Sequence, residues 1–166
     1  MAGHTKEGIA AMRVMSIYIA PNAGAPMQRI DHVSVVADRG ILGDRYEAGT
    51  GAWSKVRPEV RNLSLISNEA MARANEGRDE LFTEADTRRN LVVSIDMDRL
   101  NRLVGTEFFI GDVRVLGVEL CTPCQRPSKL CNKPGFAAAF DGIGGLRVRI
   151  LNDGEINTHD VISLAA

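Results

Sequence analysis

Val113-Arg-Val-Leu-Gly-Val-Glu-Leu-Cys-Thr-Pro-Cys-Gln-Arg-Pro-Ser-Lys129 is the stretch on which the reading of this chain turns. Val113 and Val115 alternate with Arg114 and Leu116, the period of two expected of a β-strand. After Gly117 the apolar positions resume at Val118 and Leu120, one residue out of step, which predicts a bulge at the glycine. Pro123 and Pro127 each remove an amide donor and fix φ, so strand and helix are both expected to stop there. Two thiols, Cys121 and Cys124, are thereby delivered off a strand end onto a constrained loop, a place where rigid scaffolds often carry function.

Working outward, Phe108 to Ile110 pairs with this strand as a hairpin through Gly111-Asp112. Further strands are expected at Arg13–Ala20, His32–Val36, Leu63–Ile66, Leu91–Ile95, Leu146–Leu151 and His159–Ser163. Ser67 or Asn68 caps a helix through about Glu76 that stops at Gly77, Asp98–Val104 makes a helical turn or two, and Phe136–Phe140 makes a short helix. Glu47 to Arg61 shows no period, a long loop of the kind used for lids and binding, and Trp53 within it is placed either over a ligand or against the barrel. Short strands, frequent glycine turns and few helices predict a mainly β fold, a closed or partly closed antiparallel β-barrel with a few short helices. Residues 1–11 are expected to be a flexible tail and residues 12–166 one domain, with no internal repeat.

At 166 residues and 45% hydrophobic content the chain can bury an ordinary core. A formal net charge of −1 argues against nucleic acid or an anionic membrane as the main partner, although basic groups can still gather in one pocket. Three cysteines are too few for a disulfide scaffold and fit a reducing compartment. With no apolar run of membrane-spanning length and no signal-peptide pattern, the expected location is the cytoplasm.

The thiols admit several readings. A cysteine is most often a small core hydrophobe, and Cys131 keeps that reading. Cys124 stands between prolines beside Gln125 and Arg126, and cations close to a thiol favour its ionised form; Arg126 and Lys129 both follow closely. A zinc site needs about four ligands, and only Cys131 and the scattered His4, His32 and His159 remain to complete one. A thioredoxin-like redox pair opens a helix, whereas here Pro127 comes three residues after the second cysteine and no amphipathic helix is expected.

A third reading comes from resemblance. Gly43-Asp-Arg-Tyr46, Thr87-Arg-Arg-Asn-Leu-Val-Val93, Leu103 to Val113, Cys121-Thr-Pro-Cys124 and Gly145 to Ile156 resemble, in that order, the pattern of MOSC domains over residues 12 to 164. MOSC domains form the C-terminal part of molybdenum cofactor sulfurases and occur in mitochondrial amidoxime reductases and as stand-alone bacterial proteins. The resemblance implies that Cys124, the second cysteine of the pair, is a molybdenum ligand or a sulfur-accepting nucleophile. It further implies that Arg88 and Asn90 bind the pterin or phosphate of a molybdopterin-type molybdenum cofactor, and that Asp44, Arg45 and Arg147 help to form the cleft. Arg89 stands where the amidoxime reductases carry proline. The implied activity is either reduction of N-hydroxylated compounds with electrons from a separate protein, or carriage of sulfur received from a cysteine desulfurase that holds pyridoxal phosphate on its own chain. A barrel that binds a partner without chemistry is the third possibility. Read as residues alone, Asp44-Arg45 is a solvated or self-paired turn, Arg88-Arg89 is a pair of surface charges, and Cys121 either packs at the strand end or resolves a persulfide on Cys124.

Overall fold

The computed structural model describes residues 11–164. Apart from Ala11, the tail expected at the N-terminus, His4 included, lies outside the described residues. The strands are β1 (Val14–Ile19), β2 (Gln28–Ile30), β3 (His32–Val36), β4 (Gly40–Ile41), β5 (Leu63–Ser67), β6 (Leu91–Val93), β7 (Glu107–Ile110), β8 (Val113–Leu120), β9 (Leu146–Ile150), β10 (Gly154–Asn157) and β11 (Ile162–Leu164). Eight of them form one sheet in the order β11-β7-β8-β9-β5-β6-β1-β2, and β10-β3-β4 form a second. No strand ladder joins β11 to β2, but Ile162 N–H donates to Met12 O and Val14 N–H to Asp160 O, so β11 meets the segment entering β1 and the barrel is the partly closed form of the expected mainly β architecture.

Pairing is antiparallel except between β5 and β6, which run parallel with Leu65 opposite Leu91. β6, Leu91-Val-Val93, is a continuous apolar run because both of its faces are buried. Leu65, Leu91 and Val93 point into a core shared with Val33, Val35 and Ile156 of the small sheet. Ile66 and Val92 point the other way, into a second core with Tyr18, Phe82, Phe136 and Phe140. Those phenylalanine rings pack edge to face and tilted, with centroids 4.5–5.7 Å apart.

Helices fill the gaps: α1 (Arg45–Ala48), α2 (Asn68–Ala74), α3 (Met97–Asn101), α4 (Arg126–Cys131) and α5 (Phe136–Ala139). Ser67 caps α2 by accepting from Glu69 N–H, and Asp96 caps α3 by accepting from Arg99 N–H. The bulge read at Gly117 is present, since the β8–β9 register shifts between Gly117 and Glu119. A side chain at 117 would overlap the Leu103 carbonyl oxygen, so only glycine allows the backbone of the 103–105 turn to lie against β8.

The stop expected at Pro127 is corrected. Pro127 lies in the first turn of α4, where its missing N–H has no intrahelical partner to lose, and the helix runs on to Cys131. Strands β2, β4 and β10 and helix α1 were also not legible, being too short to show a period.

Candidate functional site

Parallel pairing of β5 and β6 brings the N-terminal ends of two distant segments side by side, Arg61-Asn62 before β5 and Arg88-Arg89-Asn90 before β6. Asn90 fastens them together. Its Oδ1 accepts from Ser64 N–H at 3.1 Å and its Nδ2 donates to Tyr18 O at 3.1 Å, within a site 2% exposed. Arg88, just before, adopts the left-handed conformation at φ 59°. Its Nη1 donates to Ala25 O at 2.9 Å, while its Nη2 is buried without a partner among the described residues.

Asp44 and Arg45 are paired, as the plain reading of the turn had it, but deep inside the protein, where Asp44 is 0% exposed. Asp44 caps α1 and accepts from Ala20 N–H at 3.1 Å and from Arg45 Nη1 at 3.0 Å. Arg45 Nη2 then donates to the Arg88 carbonyl at 3.1 Å, bracing the strained residue from behind. Burial, followed by the guanidiniums of Arg45 and Arg126, pushes Arg88 down to about 10.

The thiol loop is pinned to the start of β9. Cys121, 3% exposed, donates its N–H to Gly145 O at 2.8 Å, and a Cβ on Gly144 would overlap Cys121 O. Arg89 Nε donates to Gly144 O at 2.8 Å, tying the arginine segment to the same glycines. Cys124 projects from this clamp and is exposed, whereas Cys131, on α4, is half-buried. On the far wall Arg147 Nη1 pairs with Glu119 Oε1 at 3.2 Å, and Glu119 Oε2 takes Arg57 Nη1 at 2.9 Å.

These groups surround one cleft of roughly 750 Å³, counted out to its open mouth. Cys124, Arg88, Asn90, Arg45 and Arg147 all line it, and Asp44 stands behind Arg45. Six arginines line the walls, namely Arg45, Arg61, Arg88, Arg89, Arg126 and Arg147, and among the described residues no aspartate or glutamate does. A concave site with this charge concentrates anions beside a reachable sulfur. The MOSC domain profile matches residues 44–163, a span that opens at Asp44 and contains every one of these arginines and both loop thiols. The chain belongs to the MOSC domain family.

Solved structures with the same fold include the YUAD protein of Bacillus subtilis, at 22% identity and a TM-score of 0.73, with 92% of this chain covering 94% of that one. YiiM of Geobacillus stearothermophilus follows at 16% identity and a TM-score of 0.70, with 93% of this MOSC chain covering 75% of it. YiiM of Escherichia coli has 15% identity and a TM-score of 0.63, with coverage of 94% and 69%. At these identities the likeness is one of fold. No curated protein sequence matches this chain. Among the described residues no helix is long and apolar enough to cross a membrane, and no three His, Cys, Asp or Glu side chains gather closely enough to hold a metal among themselves.

Arg61 is the lining residue that sequence reasoning passed over. It lies at the end of the aperiodic loop, and the parallel β5–β6 pairing that brings the segment before β5 beside the segment before β6 leaves no local signal. Trp53 of the same loop lines the cleft at 43% exposure, with the Arg61 guanidinium 6.0 Å from its ring.

Proposed function

We propose that this MOSC protein holds a molybdenum cofactor of the molybdopterin type in the arginine-walled cleft, with the Cys124 thiolate as the protein's ligand to the metal. The observation that carries the reading is an exposed sulfur in a cleft lined by six arginines where, among the described residues, no carboxylate lines the wall and the buried Arg88 Nη2 has no partner. An unpaired buried donor is costly, and an anionic oxygen of a ligand would satisfy it. A single soft thiolate suits a metal whose other donors come from its own organic ligand.

Arg88 and Arg126 would hold the phosphate, a group a guanidinium can grip through two N–H donors. Arg45 keeps Arg88 in its left-handed conformation, and Asp44 keeps Arg45 in place. Asn90 holds the ends of β5, β6 and β1 together and has one amide hydrogen left for the ligand. Arg147, ion-paired to Glu119, forms the opposite wall. A bound molybdenum centre supplies two-electron chemistry suited to removing oxygen from N-hydroxylated compounds, with a separate electron-transfer protein as donor.

One observation favours a second reading. Cys124 is exposed while Cys121 is sealed, so a persulfide on Cys124 could be loaded by a pyridoxal-phosphate desulfurase and handed on without internal resolution. Metal analysis and intact mass of protein purified anaerobically from a host that makes the cofactor separate the readings. About one molybdenum per chain, lost in Cys124→Ala, supports ligation. A sulfur adduct on Cys124 after incubation with desulfurase and cysteine, without molybdenum, supports the carrier. Neither result leaves a barrel that binds without chemistry, and overturns both.

A further inference from the structure

The six arginines of the cleft do not form a single cluster. Arg88 anchors its Nη1 on Ala25 O, and a Cβ on the neighbouring Gly24 would lie 3.7 Å from Arg126 Nη2, so the 24–25 turn gathers Arg88 and Arg126. Arg61 belongs elsewhere. Its Nε donates to Val56 O at 3.3 Å and its guanidinium faces the Trp53 ring, which places it with the aperiodic loop and Arg147. Burial lowers both Arg88 and Arg61; after it, the guanidiniums that lower Arg88 are Arg45 and Arg126, and the one that lowers Arg61 is Arg147, while Tyr46 lies close enough to favour the charge on both.

Carboxylates neutralise only part of each group. Arg45 has Asp44, and Arg147 has Glu119. Both Glu119 oxygens are taken, one by Arg147 and one by Arg57, and Arg61, which lines the cleft, feels the Glu119 charge but has no ion-pair partner among the described residues. Half-buried like charges that repel one another persist at a cost, which an anion between them removes.

We propose that Arg61 forms a second anion subsite in the cleft, apart from the Arg88–Arg126 pair, and that it selects substrates bearing a carboxylate, sulfonate or phosphate group. The assignment of this subsite to substrate rests on the cofactor reading, in which Arg88 and Arg126 are already occupied by the cofactor phosphate. Trp53, half-exposed over Arg61, provides an apolar face for the remainder of such a molecule.

The test uses cofactor-free full-length protein and two alkylating agents of nearly equal size, iodoacetate and iodoacetamide, with the rate at Cys124 followed by mass spectrometry. The iodoacetate-to-iodoacetamide rate ratio reads the local anion preference. In Arg61→Gln the ratio should fall about five-fold, the effect of one unit charge several ångströms away in a wet cleft, with far-ultraviolet circular dichroism as the check on folding, since the ratio cancels any change in Cys124 ionisation that both reagents share. Arg61→Lys should restore most of it. In an Arg126→Gln background, which removes one member of the other pair, the five-fold effect of Arg61→Gln should survive. Should Arg61→Gln unfold, Arg61→Met, which keeps an unbranched apolar stem beside Trp53, serves instead and should lower the ratio alike. An unchanged ratio in Arg61→Gln, or in Arg61→Met when that variant stands in, means that Arg61 merely supports Trp53 and overturns the proposal. Loss of the Arg61 effect in the Arg126→Gln background means one shared anion site, and overturns it equally. Molybdenum content is measured separately, so failure of the cofactor reading and failure of this one are told apart.

Discussion

Asn90 shows how a residue placed at the site by family likeness also carries the frame. Its amide bridges β5, β6 and β1 through Ser64 and Tyr18, and its burial is nearly complete. Asn90→Ala strips partners from a buried N–H and a buried carbonyl, so chemical denaturation should show a loss of about 2–4 kcal/mol. A residue that only touched ligand would leave the unfolding midpoint in place. Cys124 was legible as a reachable thiol because prolines and polar neighbours marked its loop, and the structure exposes it. Asp44 and Arg45 were legible as a pair but not as a buried strut behind Arg88, since that contact spans 43 residues of sequence. Arg61 was not legible at all.

Among the elements, β8 and the hairpin with β7 followed from alternation and a glycine bulge, signals contained within a dozen residues. Helix α4 did not, because a proline reads as a stop unless its place in the first turn is known. The thiol loop depends on an element far along the chain: Gly144 must lack a Cβ so that Cys121 can approach, with Pro123 packed close by. Gly144→Ala should therefore push the 121–124 loop away from β9. The expected outcome is a change of several-fold in Cys124 alkylation rate with the sheet's far-ultraviolet circular dichroism retained. An unaltered rate would show that the loop holds its own shape.

For the whole molecule, the two-core layout ties alkaline stability to the site. Tyr18 lies in the second core, and its hydroxyl donates to Glu84 at 3.0 Å, an oxygen shared with Ser16. Burial, then the hydrogen bond to Glu84, pushes Tyr18 up to about 12 from 10.0. Below pH 10 the phenol is neutral whether the chain is folded or not. Between 10 and about 12 only the unfolded chain ionises, so stability falls as pH rises through that window. Denaturation profiles should lose less stability there in Tyr18→Phe than in the parent, whatever the arginines contribute to both. The overall β architecture was legible from the strand count and glycine turns, while the parallel β5–β6 pair was not, because a period of two says nothing about direction.

That parallel pair and the clamp at Gly144 have a consequence in time. The cysteine loop is synthesised before β9, and its seat consists of backbone that emerges later. A nascent chain that has passed residue 124 but not 150 carries its thiols without the wall that aims them, so the cleft takes its shape only once β9 has emerged.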